Sequence, residues 1–116
     1  MKPFLVGFEP IIALDAKILI LGSMPSTISI NLQQYYGHPR NAFWPIMNAL
    51  LNDNPDQSYS GRKNWLMRNN IAVWDVLQHC QRTGSLDANI NFTTAKTNDF
   101  TRLYSPLRQN SCRLKF

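Results

Sequence analysis

GSMPSTISINLQQYYGHPRNAFW, residues 22–44, is the stretch on which the reading of this chain turns. It follows Lys17-Ile18-Leu19-Ile20-Leu21, a run that is apolar after its lysine. Unbroken apolarity without alternation marks a strand covered on both faces, as in a parallel sheet. A small-residue turn comes next, Gly22-Ser23-Met24-Pro25-Ser26, then a short helical stretch near 27–32. Gln33 to Asn41 then gathers aromatic, basic and amide side chains in one loop. Loops held by a rigid scaffold are where binding groups concentrate.

Working outward, Phe43, Ile46, Met47, Leu50 and Leu51 fall on one helical face. Pro45 belongs in the first turn, because deeper in the helix it would lose a hydrogen bond and clash. The helix is therefore expected to start close to Asn41 and to stop at Asn52-Asp53-Asn54-Pro55. A second helix is expected over 58–68, with Tyr59, Lys63, Leu66 and Met67 as its stripe and Asn69-Asn70 as its end. Ile71 to Leu77, IAVWDVL, reads as a strand. Strand, helix, helix, strand implies an α/β fold: three αβα layers around a short parallel sheet, incomplete in this chain. Right-handed crossovers put the turn after Leu21 at the carboxyl edge of that sheet, where ligands bind in such folds.

Residues 1–16 read as an entry segment, since Pro3 and Pro10 oppose a long helix. Residues 78–100 read as a polar region with a turn at Gly84-Ser85-Leu86-Asp87. Asn98 or Asp99 is placed to cap a third helix. Residues 104–116 show no period. The expected layout is one domain over 1–103 and an irregular tail over 104–116.

A chain of 116 residues, 44% apolar with three tryptophans, holds one modest core. Twelve Lys and Arg against seven Asp and Glu leave a net charge of +5. That suits a polyanionic partner, or simply a solvated basic surface. Cys80 and Cys112 lack zinc-site spacing and read as free thiols of a reducing compartment. No metal or cofactor site is evident. No apolar run approaches the ~20 residues of a membrane span. Gly7, Glu9, Pro10 and Asp15 interrupt any signal-peptide core, so the expectation is a cytoplasmic monomer with no membrane contact.

Each loop residue has two readings. Backbone N–H groups over Gly22–Ser26 could face an anion or a base edge, or form an ordinary βα turn. Tyr35 and Tyr36 could stack on a base, or one could pack in the core while the other shields the loop. His38 could meet a substrate or brace the loop. Arg40 could contact a phosphate or face solvent. Asn41 carries both a carbonyl acceptor and an NH₂ donor, suiting it to orient a water, but Asn also excels as a helix cap. A nucleotide site at the Gly22 turn is disfavoured, because no Gly-rich phosphate loop followed by Lys is present.

LILGSMPS followed by QYYGHPRNAFW resembles the uracil-DNA glycosylase superfamily, and most nearly its hypoxanthine-DNA (deoxyinosine) glycosylase branch. The resemblance runs from about residue 4 to residue 103, through SYSGRKNWLMRNNIAVWDVL and CQRTGSLDANI. It implies a monofunctional base-excision enzyme that flips a deaminated base, hypoxanthine or uracil, out of double-stranded DNA and hydrolyses its N-glycosidic bond without metal or cofactor. Gly22, Ser23, Met24, Pro25 and Ser26 then correspond to the motif lining the base pocket. Mismatch-specific relatives carry Asn where Met24 stands; in the hypoxanthine branch the catalytic Asn is the one matching Asn41. Tyr36 takes the place of the stacking aromatic, with His38 auxiliary and Arg40 on phosphate. The family's second motif, a Ser/Pro loop entering the minor groove, is expected after a further strand. SPLRQNSCRLKF does not read as that strand, so the chain reads as truncated. The alternative is a non-catalytic remnant that still binds nucleic acid.

Overall fold

The computed structural model describes residues 4–53, 55, 57–103 and 113–115. In chain order the elements are β1 (Phe4–Val6), β2 (Ile18–Gly22), α1 (Thr27–Leu32), α2 (Phe43–Leu51), α3 (Tyr59–Arg68), β3 (Ile71–Asp75) and β4 (Leu77–Arg82). A 3₁₀ turn (Asp87–Asn89), β5 (Ile90–Thr97), one helical turn at 100–103 and β6 (Arg113–Lys115) follow.

The parallel sheet expected from the two apolar runs is present. β2 pairs parallel with β3, Ile18 opposite Ile71 and Gly22 opposite Asp75. Side chains on both faces find partners, so neither run alternates in sequence, although in β2 Leu19 and Leu21 are buried and Ile18 and Ile20 half-buried. Ile71 and Val73 pack toward Tyr35, Trp44, Met47, Trp65 and Leu66 on the side of α2 and α3. Leu19, Leu21 and Ala72 pack on the other side with Ala16, Phe100 and Leu103. Trp65 and Leu66 are fully buried, and removing either side chain would cost about 2–5 kcal/mol. Trp65 also donates its indole N–H to Asp53 Oδ2 at 2.9 Å.

Three expectations need correction. The polar region over 78–100 forms β4 and β5, which with β1 make a second, antiparallel sheet in the order β1-β4-β5. The strand expected over 71–77 stops at Asp75, and Leu77 already belongs to the second sheet. The entry segment has no long helix among its described residues, as expected, and it supplies β1 and a bridge from Ile11 to Val73 that covers the outer edge of β3. The tail is not wholly irregular: Arg113–Lys115 pairs parallel with Ile18–Ile20 on the other side of β2. Residues 104–112 and 116 lie outside the described residues, as does Cys112. Cys80 is a buried free thiol. The third helix does begin where expected, with Asp99 Oδ1 accepting the Arg102 N–H at 3.2 Å.

β3 and β4 are almost continuous, yet they serve different sheets. The change of sheet comes right after Asp75, where Val76 N–H donates to the Gly22 carbonyl (2.8 Å) and Leu77 N–H to the Ser23 carbonyl (3.1 Å). This fixes the Gly22 turn and the end of β3 side by side at the carboxyl edge.

Candidate active site

A cavity of ≈ 200 Å³ opens at that edge, lined by Gly22, Ser23, Met24, Pro25, Ser26, Ser29, Tyr35, Tyr36, Asn41, Asp75 and Ser85. The residues singled out from the turn and from the loop thus meet, although up to 19 positions part them in the chain. Among the described residues three larger cavities lack Asn41, one of them sharing Gly22 and Ser23 with this edge. A neighbouring cavity of ≈ 180 Å³ shares Tyr36 and Asn41 and adds His38, Trp44 and Arg62.

Local hydrogen bonds build this site. Ser26 caps α1, its Oγ accepting the Ser29 N–H at 3.1 Å. Ser29, itself buried, accepts at its Oγ the Gly37 N–H at 3.0 Å and so ties α1 to the aromatic loop. The two tyrosines divide their work. Tyr35 is core: its hydroxyl donates to the Glu9 carbonyl at 3.1 Å, and its carbonyl accepts the Trp44 indole N–H at 3.3 Å. Tyr36 stacks on Phe43 with ring centroids 3.9 Å apart. It has φ +54°, a left-handed backbone that costs a non-glycine residue about 1–2 kcal/mol. Burial pushes the Tyr36 phenol up to about 12, so it stays a neutral donor at physiological pH.

Asn41 is exposed, lines the cavity and holds the start of the next helix. It precedes the helix rather than starting it: α2 begins at Phe43, with Ala42 as its cap residue. The Asn41 Oδ1 accepts the Phe43 N–H at 2.8 Å, an Asx turn. Because a backbone N–H needs an acceptor, this bond fixes the amide's orientation. The carbonyl oxygen is committed to the helix, which leaves the NH₂ as the group the side chain has to offer.

His38 and Arg40 do not line the ≈ 200 Å³ cavity. His38 braces the loop: Nδ1 accepts the Arg40 N–H at 3.0 Å, and its carbonyl accepts the Asn41 N–H at 2.9 Å. Arg40 is exposed. Met24 is buried with Leu77, Cys80 and Ile90, so its side chain serves the core under the turn.

The sequence reading missed two charged residues. Asp75, last in β3, is 4% exposed and its Oδ2 has no hydrogen-bond partner among the described residues. Burial, then the neighbouring Asp87 carboxylate, push its carboxyl from 3.8 to about 7, against the pull of Arg82. Arg82 is 1% exposed; it donates from Nη2 to the Pro25 carbonyl and from Nε to the Gly84 carbonyl, both at 2.7 Å. The 84–87 turn is clipped to the same place, Ser23 donating to Asp87 Oδ1 at 2.7 Å and the Thr27 N–H to Ser85 Oγ at 2.9 Å. One signal was available: a lone Asp closing an apolar strand beside a Gly-Ser turn sits where parallel sheets bind ligands.

Among the described residues no helix is long and apolar enough to cross a membrane, and no cluster of three or more His, Cys, Asp or Glu could hold a metal ion.

No family model matches the chain. It is 41% identical over 85 residues to a hypoxanthine DNA glycosylase of Methanosarcina barkeri, covering 72% of this chain and 54% of the relative. It is 40% identical over 98 residues to one of Methanosarcina acetivorans, covering 84% and 61%. The chain therefore spans little more than half the length of these relatives. A solution NMR structure of a proposed uracil DNA glycosylase from Methanosarcina acetivorans superposes with a TM-score of 0.77 at 32% identity, over 98% of this chain and 83% of that one. The sequence identity, the shared fold and the loop motif agree: the chain belongs to the uracil-DNA glycosylase superfamily and is hypoxanthine-DNA-glycosylase-like.

Proposed function

We propose that the chain is a monofunctional DNA base-excision glycosylase that removes deaminated bases, hypoxanthine first and uracil second. The observation that carries this reading is the meeting of Asn41, Tyr36 and the Gly22–Ser26 turn in one cavity at the carboxyl edge of a parallel sheet. The cavity suits a single extruded base. The Tyr36 ring offers that base a stacking face, worth ~1–3 kcal/mol. Backbone N–H groups of the turn and the Asn41 NH₂ supply donors around it.

Glycosidic cleavage leaves positive charge on the sugar, an oxocarbenium-like centre. Such an electrophile needs a water held in place more than a water deprotonated. The Asn41 NH₂ can hold that water by its oxygen while the Asx turn keeps the amide from rotating. Arg40, exposed on the same loop, is the proposed phosphate contact, and the +5 net charge supports binding to double-stranded DNA.

The test is incubation of the chain with duplex oligonucleotides carrying one deoxyinosine or one deoxyuridine, followed by alkali to break abasic sites. Strand breakage at the inosine, lost in Asn41→Ala, is the expected result. Intact strands with both deaminated bases would overturn the reading and leave non-catalytic nucleic-acid binding in its place.

A further inference from the structure

The geometry points to Asp75 as the residue that holds the departing base: its carboxyl, carrying its proton, donates a hydrogen bond to the base as the glycosidic bond breaks. The inference rests on the base-excision reading above and assigns that site a substrate-touching group beyond Asn41 and Tyr36.

Placement is the first argument. Asp75 lines the same cavity as Asn41 and Tyr36, yet it comes from the sheet rather than the loop. Its Oδ2 is buried without a partner among the described residues, a costly condition unless a ligand answers it. The opposing residue is Gly22, and a Cβ there would lie 2.5 Å from Asp75 Oδ1. The absence of a side chain at Gly22 is what lets the carboxyl sit there.

Chemistry is the second. When the C1′–N bond breaks, its electron pair goes to the base, which leaves as an anion. Water forms the new O–C1′ bond and gives its proton to solvent. The base takes up a proton from Asp75, which solvent then restores. A neutral carboxyl stabilises the developing anion, whereas a carboxylate would repel it. Hypoxanthine and uracil both present carbonyl oxygens where such a donor can act.

The surroundings favour the neutral acid. Asp87, from the 3₁₀ turn, and burial both disfavour the carboxylate, while Arg82, from β4, favours it. Tyr35 and Tyr36, from the aromatic loop, are themselves held neutral by burial. Asn98 donates only to the Asp75 backbone carbonyl, at 2.7 Å.

The experiment measures inosine excision between pH 5.5 and 8 for the wild type, Asp75→Asn and Asp75→Ala, alongside affinity for free hypoxanthine at both ends of the range. The wild-type rate is expected to fall above pH 7, approaching about tenfold per unit. Asp75→Asn, a donor that does not titrate, should keep activity within about tenfold with a flat profile, and Asp75→Ala should lose roughly 10²-fold. A fall with pH that persists unchanged in Asp75→Asn would overturn the inference and leave the glycosylase reading standing. Wild-type hypoxanthine affinity should also weaken at least severalfold by pH 8, a readout independent of turnover and of any variant's folding. If no base is excised, the glycosylase reading fails, and this affinity alone decides on Asp75: equal binding at both pH values sinks it.

Discussion

Gly22 and Asp75 are partners across the parallel strands β2 and β3, and the space a Cβ would take on Gly22 is occupied by the Asp75 carboxyl. Gly22→Ala therefore forces the carboxyl out of the cavity or the strands apart. Overpacking of this kind costs about 1–3 kcal/mol. Inosine excision should drop by roughly 10²-fold, as for small misplacements of reacting groups. Denaturant unfolding and the alkali nicking assay check the two halves.

Asp75 also sets a pH dependence of stability. Its folded value, about 7, is raised above the ordinary 3.8. Below pH 3.8 both folded and unfolded chains hold the proton, and the carboxyl has no adverse effect. As pH rises toward 7 the unfolded chain ionises first, so stability is lost across that window and stays lost above it. At ~1.4 kcal/mol per unit the loss is on the order of 4 kcal/mol. Asp75→Asn is expected to raise the melting temperature at pH 8 and to leave it nearly unchanged at pH 4. Melts at both pH values provide the check.

Arg82 holds two carbonyls on two different turns. Arg82→Lys keeps the charge but cannot reach both with a single ammonium. The expected cost is about 2–3 kcal/mol, from charge-assisted bonds lost in a buried site. Hydrogen exchange should show faster opening of 83–87 and of the Pro25 turn.

Binding to undamaged DNA should weaken steeply with salt through counterion release. Arg40→Gln is expected to reduce the salt slope by about one and to weaken binding uniformly across sequences. An unchanged slope would remove Arg40 from the interface.

The parallel sheet and its three leading helices were legible because each follows one clear rule. Runs covered on both faces lose alternation, and the apolar spacing over Phe43 to Leu51 marks a helix, although the face it buries carries Trp44 and Met47 while Ile46 and Leu50 of the expected stripe are exposed. The second sheet was not legible. In β4 the buried residues are Leu77, Cys80 and Arg82, a spacing that register shifts opposite β5 impose and that alternation does not reveal. A buried arginine in a polar run looks like surface until its carbonyl partners are seen. The site was half legible. The turn and loop were visible as motifs, and of the two readings Asn41 carried, the fold shows the bond that holds the helix start, while the water-holding role is the proposal made above. Asp75 was hidden because it reads as the polar end of a strand, and only the pairing with Gly22 shows where its carboxyl lies.

Replacing Asn41 by Ser separates the two jobs of that residue. Serine keeps a side-chain oxygen for the Phe43 N–H, so the stability of Asn41→Ser should stay within ~0.5 kcal/mol of the parent. It removes the NH₂ proposed to hold the water. Single-turnover excision of hypoxanthine from an inosine duplex should then fall at least roughly 10²-fold. A folded Asn41→Ser protein that excises the base at the parental rate would show that the amide serves only its helix.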